Sequence, residues 1–593
     1  MKRVILLAAL ASAALGLGRP ASAIIARPQQ PGLLGAAEAS YFRVRPGIVD
    51  LPAAPADVAA IDTVKALVIL MDFPDKPADQ ESHTAAYFQA KLFGTAKPSL
   101  RSYFDEVSYG KFLLYGDVTR WYTSDCRHLD IVNRDGIAGT SDDYGVDISG
   151  DAIAPAICGF PLNVWGLVKH AAGLASEEIN LADYDNDGPD GQPHSGDDDG
   201  YVDALLVVHA GIGAELWGSV PGSENYIWSL QSNLDYYSPT RETTFDGVRV
   251  GAFIIVPELG EIGVFAHEFC HLLGLPDLYN SSTGNSVVGP LCLMDVGAWL
   301  GPQTNGSVPC HLSAPMKYML GWLEPVDVCL GCDGQPAVED AEIRPLGTTG
   351  SAYALLNNPG GMDWTGEGSG TGEYFLLENR RPGYGYYETY LPGSGMLIWK
   401  VDESRSTNND PVGRLAEVIQ ADGEATPSDG GGSLPGEPSD FWPGTLGRDE
   451  FTPESEPPSN LAGGRFSGVA VRNIREAGAS VVADLAVGLP SRGRAYAYPN
   501  PYNIEGLRSG DALRIVFVPE TGPPEPYGFE VTIFDVEGNP LRRLDQPGHE
   551  ILPDGIALWD GRDDRGELVE AGLYIYSVKS SGQEAAGVVA IEK

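Results

Sequence analysis

Short apolar runs set between polar turns dominate the first half of this chain. Residues 66–73 (ALVILMDF) form a β-rich run ended by Pro74, which predicts a buried strand. Residues 201–209 (YVDALLVVH) read the same way. Between them, apolar positions at helical spacing predict helices over 84–93, 99–107 and 164–175, and residues 111–118 (KFLLYGDV) predict another strand. This order of strands and helices predicts a mixed α/β unit over residues 61–335.

From residue 336 the pattern changes to strand-like runs between Gly-rich turns, at 373–378 (EYFLLE), 395–401 (GMLIWKV) and 415–420, predicting a β-sandwich domain over 336–488. Residues 423–464, rich in Gly, Pro, Ser and Glu, read as a long loop. After a linker at 488–493, short alternating strands punctuated by Glu537-Gly538-Asn539 and Asp564-Arg565-Gly566 predict a smaller β-sandwich over 489–593.

The N-terminal end changes the picture of where such a chain works. Lys2 and Arg3 precede an apolar stretch from Val4 to Gly18, and Ala21-Ser22-Ala23 follows. That is the form of a cleaved export signal over 1–23. Residues 24–60 read as a prosegment or linker, which could keep a precursor quiet through a carboxylate, Asp50 or Asp57, or through blockage by its backbone. No later run reaches the roughly 20 apolar residues of a membrane span, so no membrane insertion is expected. With 39 basic and 81 acidic residues the formal charge is −42, a field that repels nucleic acid and favours cations. Seven cysteines leave at least one thiol outside any set of internal disulfides.

The strongest chemical signal is residues 261–280, EIGVFAHEFCHLLGLPDLYN. His267 and His271 are four apart, so on a helix they face the same way and can ligate one tetrahedral zinc. Glu268 follows the first histidine, where its carboxylate can serve as general base toward the attacking water without being a ligand. Gly274 at the helix end can take a left-handed conformation and reverse the chain. That reversal would bring Asp277 back as third ligand.

The string H-E-x-x-H-x-x-G-x-x-D resembles the metzincin zinc motif as used by the immune inhibitor A family of secreted bacterial metallopeptidases. Similar to that family, too, are MDFPD after the first strand, VDALLVVHAG at 202–211, IWS at 227–229, LGWLEP at 320–325, EYFLLENRRPG at 373–383 and LPGSGMLIWKVDE at 391–403. The resemblance implies a metzincin-like α/β catalytic domain, a secreted zinc endopeptidase acting on proteins or peptides, and a methionine turn beneath the metal at Met294. It departs at Cys270, where the family often has a small residue, and no tyrosine stands two residues after Met294. His209 and His311 read as structural.

Residues 183–203 (DYDNDGPDGQPHSGDDDGYVD) cluster carboxylates and glycines as a calcium loop does. Asp183 to Gly188 fits D-x-D-x-D-G, while resemblance to the family, which carries a compact DNDGDGYVD here, implies Asp185, Asp187, Asp199 and Asp203 as ligands. A second acidic string, NRDGIAGTSDD at 133–143, is a weaker candidate. The C-terminal segment, with WDGRDDRGELVEAGLYIY at 559–576, resembles an immunoglobulin-like module related to flagellar hook-capping proteins, which implies contact with secretion machinery or a cell surface. A second reading is a secreted surface-binding or adhesive protein with an inactive zinc site. The intact Glu268 separates the two, since a binding protein has no need of it.

Overall fold

The computed structural model describes Ser22–Ala23 and residues 62–592, apart from 135, 139–142, 147–159, 187–192, 194–197, 217–221, 237–242, 330–335, 357–371, 425, 427–432, 462–466, 489–493, 499–501, 505–511, 519–528, 537, 546–549, 552–555 and 581–582. Strand β1 (Asp62–Asp72) lies inside a sheet, between β2 (Phe112–Thr123) and β3 (Ala204–His209). Both neighbours run parallel to it. Ala66 to Met71 are fully buried, as a parallel strand covered on both faces requires, and this is why their sequence is continuously apolar. Strand β2 runs past the predicted residue 118 to Thr123 because Trp121 and Tyr122 are also buried.

Beyond β3 come β4 (Leu230–Asn233) at the outside and β5 (Ala252–Pro257) next to β3. β5 is parallel to β3, whereas β4 is antiparallel to β5. The outer side of β4 carries one more segment, with Ser22 opposite Gln231 and Ala23 opposite Leu230 in antiparallel register.

Helix α1 (Ala85–Phe93) is capped by Thr84, whose hydroxyl oxygen accepts the Tyr87 amide at 3.1 Å. Helix α2 (Leu100–Val107) begins with a reciprocal Ser99–Ser102 pair of side-chain caps. Helix α3 (Val164–Ser176) is capped by Asn163. Helix α4 (Ile262–Leu272) packs against β4, β5 and α2. Its Phe269 meets Phe104 of α2 at 5.1 Å between ring centres, and Phe104 in turn meets Phe112 at 5.4 Å. These edge and tilted contacts fix α4 against the start of β2.

The apolar core continues past residue 335. Strands β6 (Val326–Cys329), β7 (Ala337–Ile343), β8 (Ala352–Leu356), β9 (Glu373–Arg380), β10 (Gly395–Asp402), β11 (Ala416–Ile419), β12 (Val469–Ala477) and β13 (Ser480–Val487) form two sheets. One has the order β11-β10-β9-β8-β6, the other β7-β13-β12. Side chains alternate across the five-stranded sheet. Tyr374, Leu376, Leu397, Trp399 and Val401 enter the core shared with β1 and β3. Phe375, Leu377, Met396 and Ile398 face the three-stranded sheet in a second core.

The expectation of a long loose loop over 423–464 needs correction where the structure describes it. Trp442 and Phe451 are fully buried in that second core, 5.6 Å apart between ring centres. Trp442 also exchanges backbone hydrogen bonds with Met396, at 2.8 and 2.9 Å. Two large aromatics outweigh the surrounding Gly and Pro, because each buries far more apolar area than a turn residue exposes.

The C-terminal residues have their own core around Trp559, Val531, Ile533 and Val578. It lies between a three-stranded sheet (Arg494–Tyr498, Leu513–Val518, Ile556–Trp559) and a five-stranded one that includes Glu530–Phe534, Gly572–Ser580 and Gln583–Glu592. The architecture is thus multi-sheet and largely β. Among the described residues no helix is long and apolar enough to cross a membrane.

Trp442→Ala should destabilise the second core by about 3–5 kcal/mol, the range for deleting a buried aromatic. Urea unfolding followed by tryptophan fluorescence checks this; a midpoint unchanged from the parent would mean that the segment is only a surface tether.

Candidate metal centre

All eleven residues of α4 are buried. The helix can lie this deep because Gly263 has no side chain: a Cβ there would stand 1.8 Å from the Ala298 carbonyl oxygen. At its other end Gly274 takes φ +92°, the left-handed turn the sequence predicted. The chain reverses there, with the Leu275 amide donating to the Cys270 carbonyl at 3.0 Å.

That reversal returns Asp277 to the two histidines. Asp277 Oδ1 stands 3.2 Å from His267 Nε2 and 3.1 Å from His271 Nε2, and the two Nε2 atoms are 3.1 Å apart. A tetrahedral zinc with ligands at about 2.05 Å would set its ligand atoms about 3.3 Å from one another, so the three atoms fit one ion. The other ring nitrogens are engaged. His267 Nδ1 pairs with the Leu293 carbonyl at 3.0 Å and His271 Nδ1 with the Leu275 carbonyl at 2.8 Å. Each carbonyl can only accept, so each Nδ1 carries the proton and each Nε2 keeps its lone pair for a metal. Asp277 Oδ1 is buried without a satisfying hydrogen bond of its own, which a cation would supply. Among the described residues this is the only group of three metal-capable side chains so close together.

Without an ion the electrostatics are those of a crowded buried trio. Burial opposes charge on His271, but the Asp277 carboxylate outweighs it and raises the imidazole to about 9. Burial dominates at His267, whose pKa falls. Burial also opposes charge on Asp277, yet His271 and His267 hold its pKa below the ordinary value. Glu268, buried on the same helix, adds its negative charge to the field at His271.

Met294 is fully buried, and its carbonyl accepts the Leu278 amide at 2.8 Å, beside Asp277. The residue that shapes this turn is Asp295, which sequence reasoning passed over. Its Oδ2 accepts the amides of Val287, Val288 and Gly289 at 2.9, 2.8 and 3.2 Å, and its Oδ1 accepts that of Val296 at 2.7 Å. Burial raises its pKa to about 6 against the pull of those donors. Tyr279, also overlooked, stacks on His267 with 6.5 Å between ring centres. An aromatic two residues after Asp277 was the available signal.

His209 and His311 stand apart from this trio. His209 lies fully buried on β3, and His311 pairs with Glu106 at 2.9 Å and with Lys317 at 3.0 Å. Of the four candidate calcium ligands, Asp187 lies outside the described residues. Asp203 accepts the Asn186 amide at 3.2 Å, next to the buried Asp185, and Asp199 accepts the Tyr201 amide at 2.8 Å. Asp135 and Asp142 of the second acidic string, and residues Asp50 and Asp57, also lie outside. Cys270, Cys292 and Cys310 are free, buried thiols, whereas Cys126 and Cys329 are disulfide-bonded.

Residues 54–321 match the model of the immune inhibitor A peptidase M6 catalytic domain. Over 300 residues the chain is 30% identical to the pre-pro-metalloprotease PrtV of Vibrio cholerae serotype O1, covering 44% of this chain and 30% of that protein. Over 242 residues it is 30% identical to immune inhibitor A of Bacillus thuringiensis subsp. alesti, covering 38% and 32% respectively. The chain thus spans about a third of the length of the curated relatives it matches. Among solved structures, PorZ, a surface component of the type-IX secretion system of Porphyromonas gingivalis, matches at 21% identity over 21% of this chain and 15% of that one. Its TM-score of 0.13 carries no argument about fold. The histidine pair, the glycine turn and the returning aspartate all lie within the segment that matches the immune inhibitor A peptidase M6 catalytic domain.

Proposed function

We propose that the protein is a secreted zinc endopeptidase, with His267, His271 and Asp277 as metal ligands and Glu268 as general base. The observation that carries the reading is the convergence of two Nε2 atoms and one carboxylate oxygen within 3.1–3.2 Å, with both Nδ1 positions turned to backbone carbonyls. Zinc, when bound, supplies Lewis acidity that polarises a scissile carbonyl and makes water a better nucleophile at neutral pH. Glu268 takes the water's proton on its carboxylate and passes it to the leaving amine nitrogen.

Protein or peptide substrates fit an open sheet edge. Strand β4 already accepts Ser22–Ala23 by antiparallel pairing, and these two residues also approach α4. Cleavage after Ala23, as the export signal implies, would remove that partner and free β4 for an extended substrate. Residues 24–60, which follow that segment in sequence, are the available inhibitor of a latent precursor. The metzincin-like reading of the catalytic domain rests on the H-E-x-x-H helix, the glycine turn and buried Met294 together. Glu268 favours the enzyme over a surface-binding protein with a silent site.

Calcium in the 183–203 loop is a further part of the reading, supported by the junction of Asp203 and Asn186 beside Asp185. The C-terminal two-sheet unit is read as immunoglobulin-like, offering contact to secretion machinery or the cell surface.

Glu268→Gln should retain zinc, since the ligands are untouched, and lose kcat/KM on casein by about 10²–10⁴-fold. Zinc content and casein hydrolysis measured on one preparation check it; near-parental turnover would defeat the general-base role. His271→Ala should lose zinc and activity together, as should the parent protein after dialysis against a strong chelator. Calcium at a hundred times its dissociation constant should stabilise by about 2.7 kcal/mol, an effect that Asp187→Ala with Asp203→Ala abolishes. Should that double variant keep the parent's calcium response in thermal unfolding, the loop is only a solvated turn.

A further inference from the structure

Arg380, at the end of β9, is fully buried. Its Nε and Nη2 donate to the two oxygens of Glu388 at 2.7 and 2.6 Å, a matched fork. Its Nη1 donates to the Leu291 carbonyl at 2.8 Å. Glu388 Oε1 also accepts the His311 amide at 3.0 Å. The pair therefore grips the backbone of 291–311 at both ends.

The segment between those ends reaches the metal ligands. The His311 carbonyl accepts the Leu293 amide at 3.3 Å, and the Leu293 carbonyl accepts His267 Nδ1 at 3.0 Å. One residue on, the Met294 carbonyl holds the Leu278 amide, next to Asp277. Two of the three ligands are thus oriented by a turn whose position is set by β9 of the five-stranded sheet and the segment after it.

A buried ion pair is a poor stabiliser, because desolvating two charges cancels most of their attraction. Apolar side chains of similar volume would hold the fold as well. They could not fix a carbonyl at one end of the turn and an amide at the other. We propose that Arg380 and Glu388 are positioning residues for the metal centre, holding the 291–311 turn so that Leu293 and Met294 keep His267 and Asp277 in ligand geometry. This rests on the zinc reading above.

Arg380→Met with Glu388→Leu removes the forked pair together, and Glu378, 3.3 Å from Arg380, keeps the Trp399 indole and the Ala314 amide as donors. The double variant's zinc dissociation constant, measured by competition with a chromophoric chelator, should rise about tenfold or more, within the 10–100-fold range of outer partners of metal ligands. Glu388→Gln keeps the shape of the side chain and should show a smaller rise in the same direction. Phe451→Leu, in the second core away from this turn, should lower the melting temperature and leave zinc affinity unchanged. Parental zinc affinity in both Glu388 variants would overturn the proposal, as would an equal loss in Phe451→Leu. A parent protein that binds no zinc would instead overturn the function proposed above.

Discussion

Two imidazoles and a carboxylate meet within 3.2 Å of one another at the end of a buried helix, and much of the surrounding structure serves to keep them there. Polar atoms that close together and cut off from water are costly unless something compensates them. The compensation is built in layers. Backbone carbonyls settle which ring nitrogens face inward, Gly274 turns the chain, and Asp295 ties the turn beneath through four amides. Gly263 lets a neighbouring backbone approach where any side chain would collide.

The five-stranded sheet has two working faces, and that explains why the chain turns to β-structure immediately after the peptidase segment. One face completes the core around β1 and β3, while the other forms a sandwich with β7, β12 and β13. Trp399 shows the coupling in one residue. Its ring fills the shared core and its indole nitrogen donates to Glu378 at 2.7 Å, whose other oxygen accepts the Ala314 amide.

The parts legible in the sequence were those whose geometry is local. Helical spacing put His267 and His271 on one face, and a glycine three residues past the second histidine marked the turn that returns Asp277. Continuous apolar runs announced β1 and β3, because strands covered on both sides have no polar face to show. Other parts depended on distant partners. Nothing near Leu293 says that its carbonyl will hold a histidine, since every residue carries the same acceptor. Arg380 sits in a run where a charge ordinarily marks a solvent face, and it takes Glu388 and Glu378 to make its burial tolerable. Trp442 and Phe451 were hidden by the composition around them. The odd cysteine count required an unpaired thiol, but not that Cys270, Cys292 and Cys310 would all lie buried and free.

The two-faced sheet also bears on how such a chain could have been assembled. The residues after 488 enclose an apolar interior of their own, so joining or removing them at that point exposes little. A recombination between residues 335 and 372 would strip Leu376, Trp399 and Val401 from the peptidase interior and leave a greasy wall open to water. Descent by exchange of parts is therefore free at one junction of this protein and closed at the other.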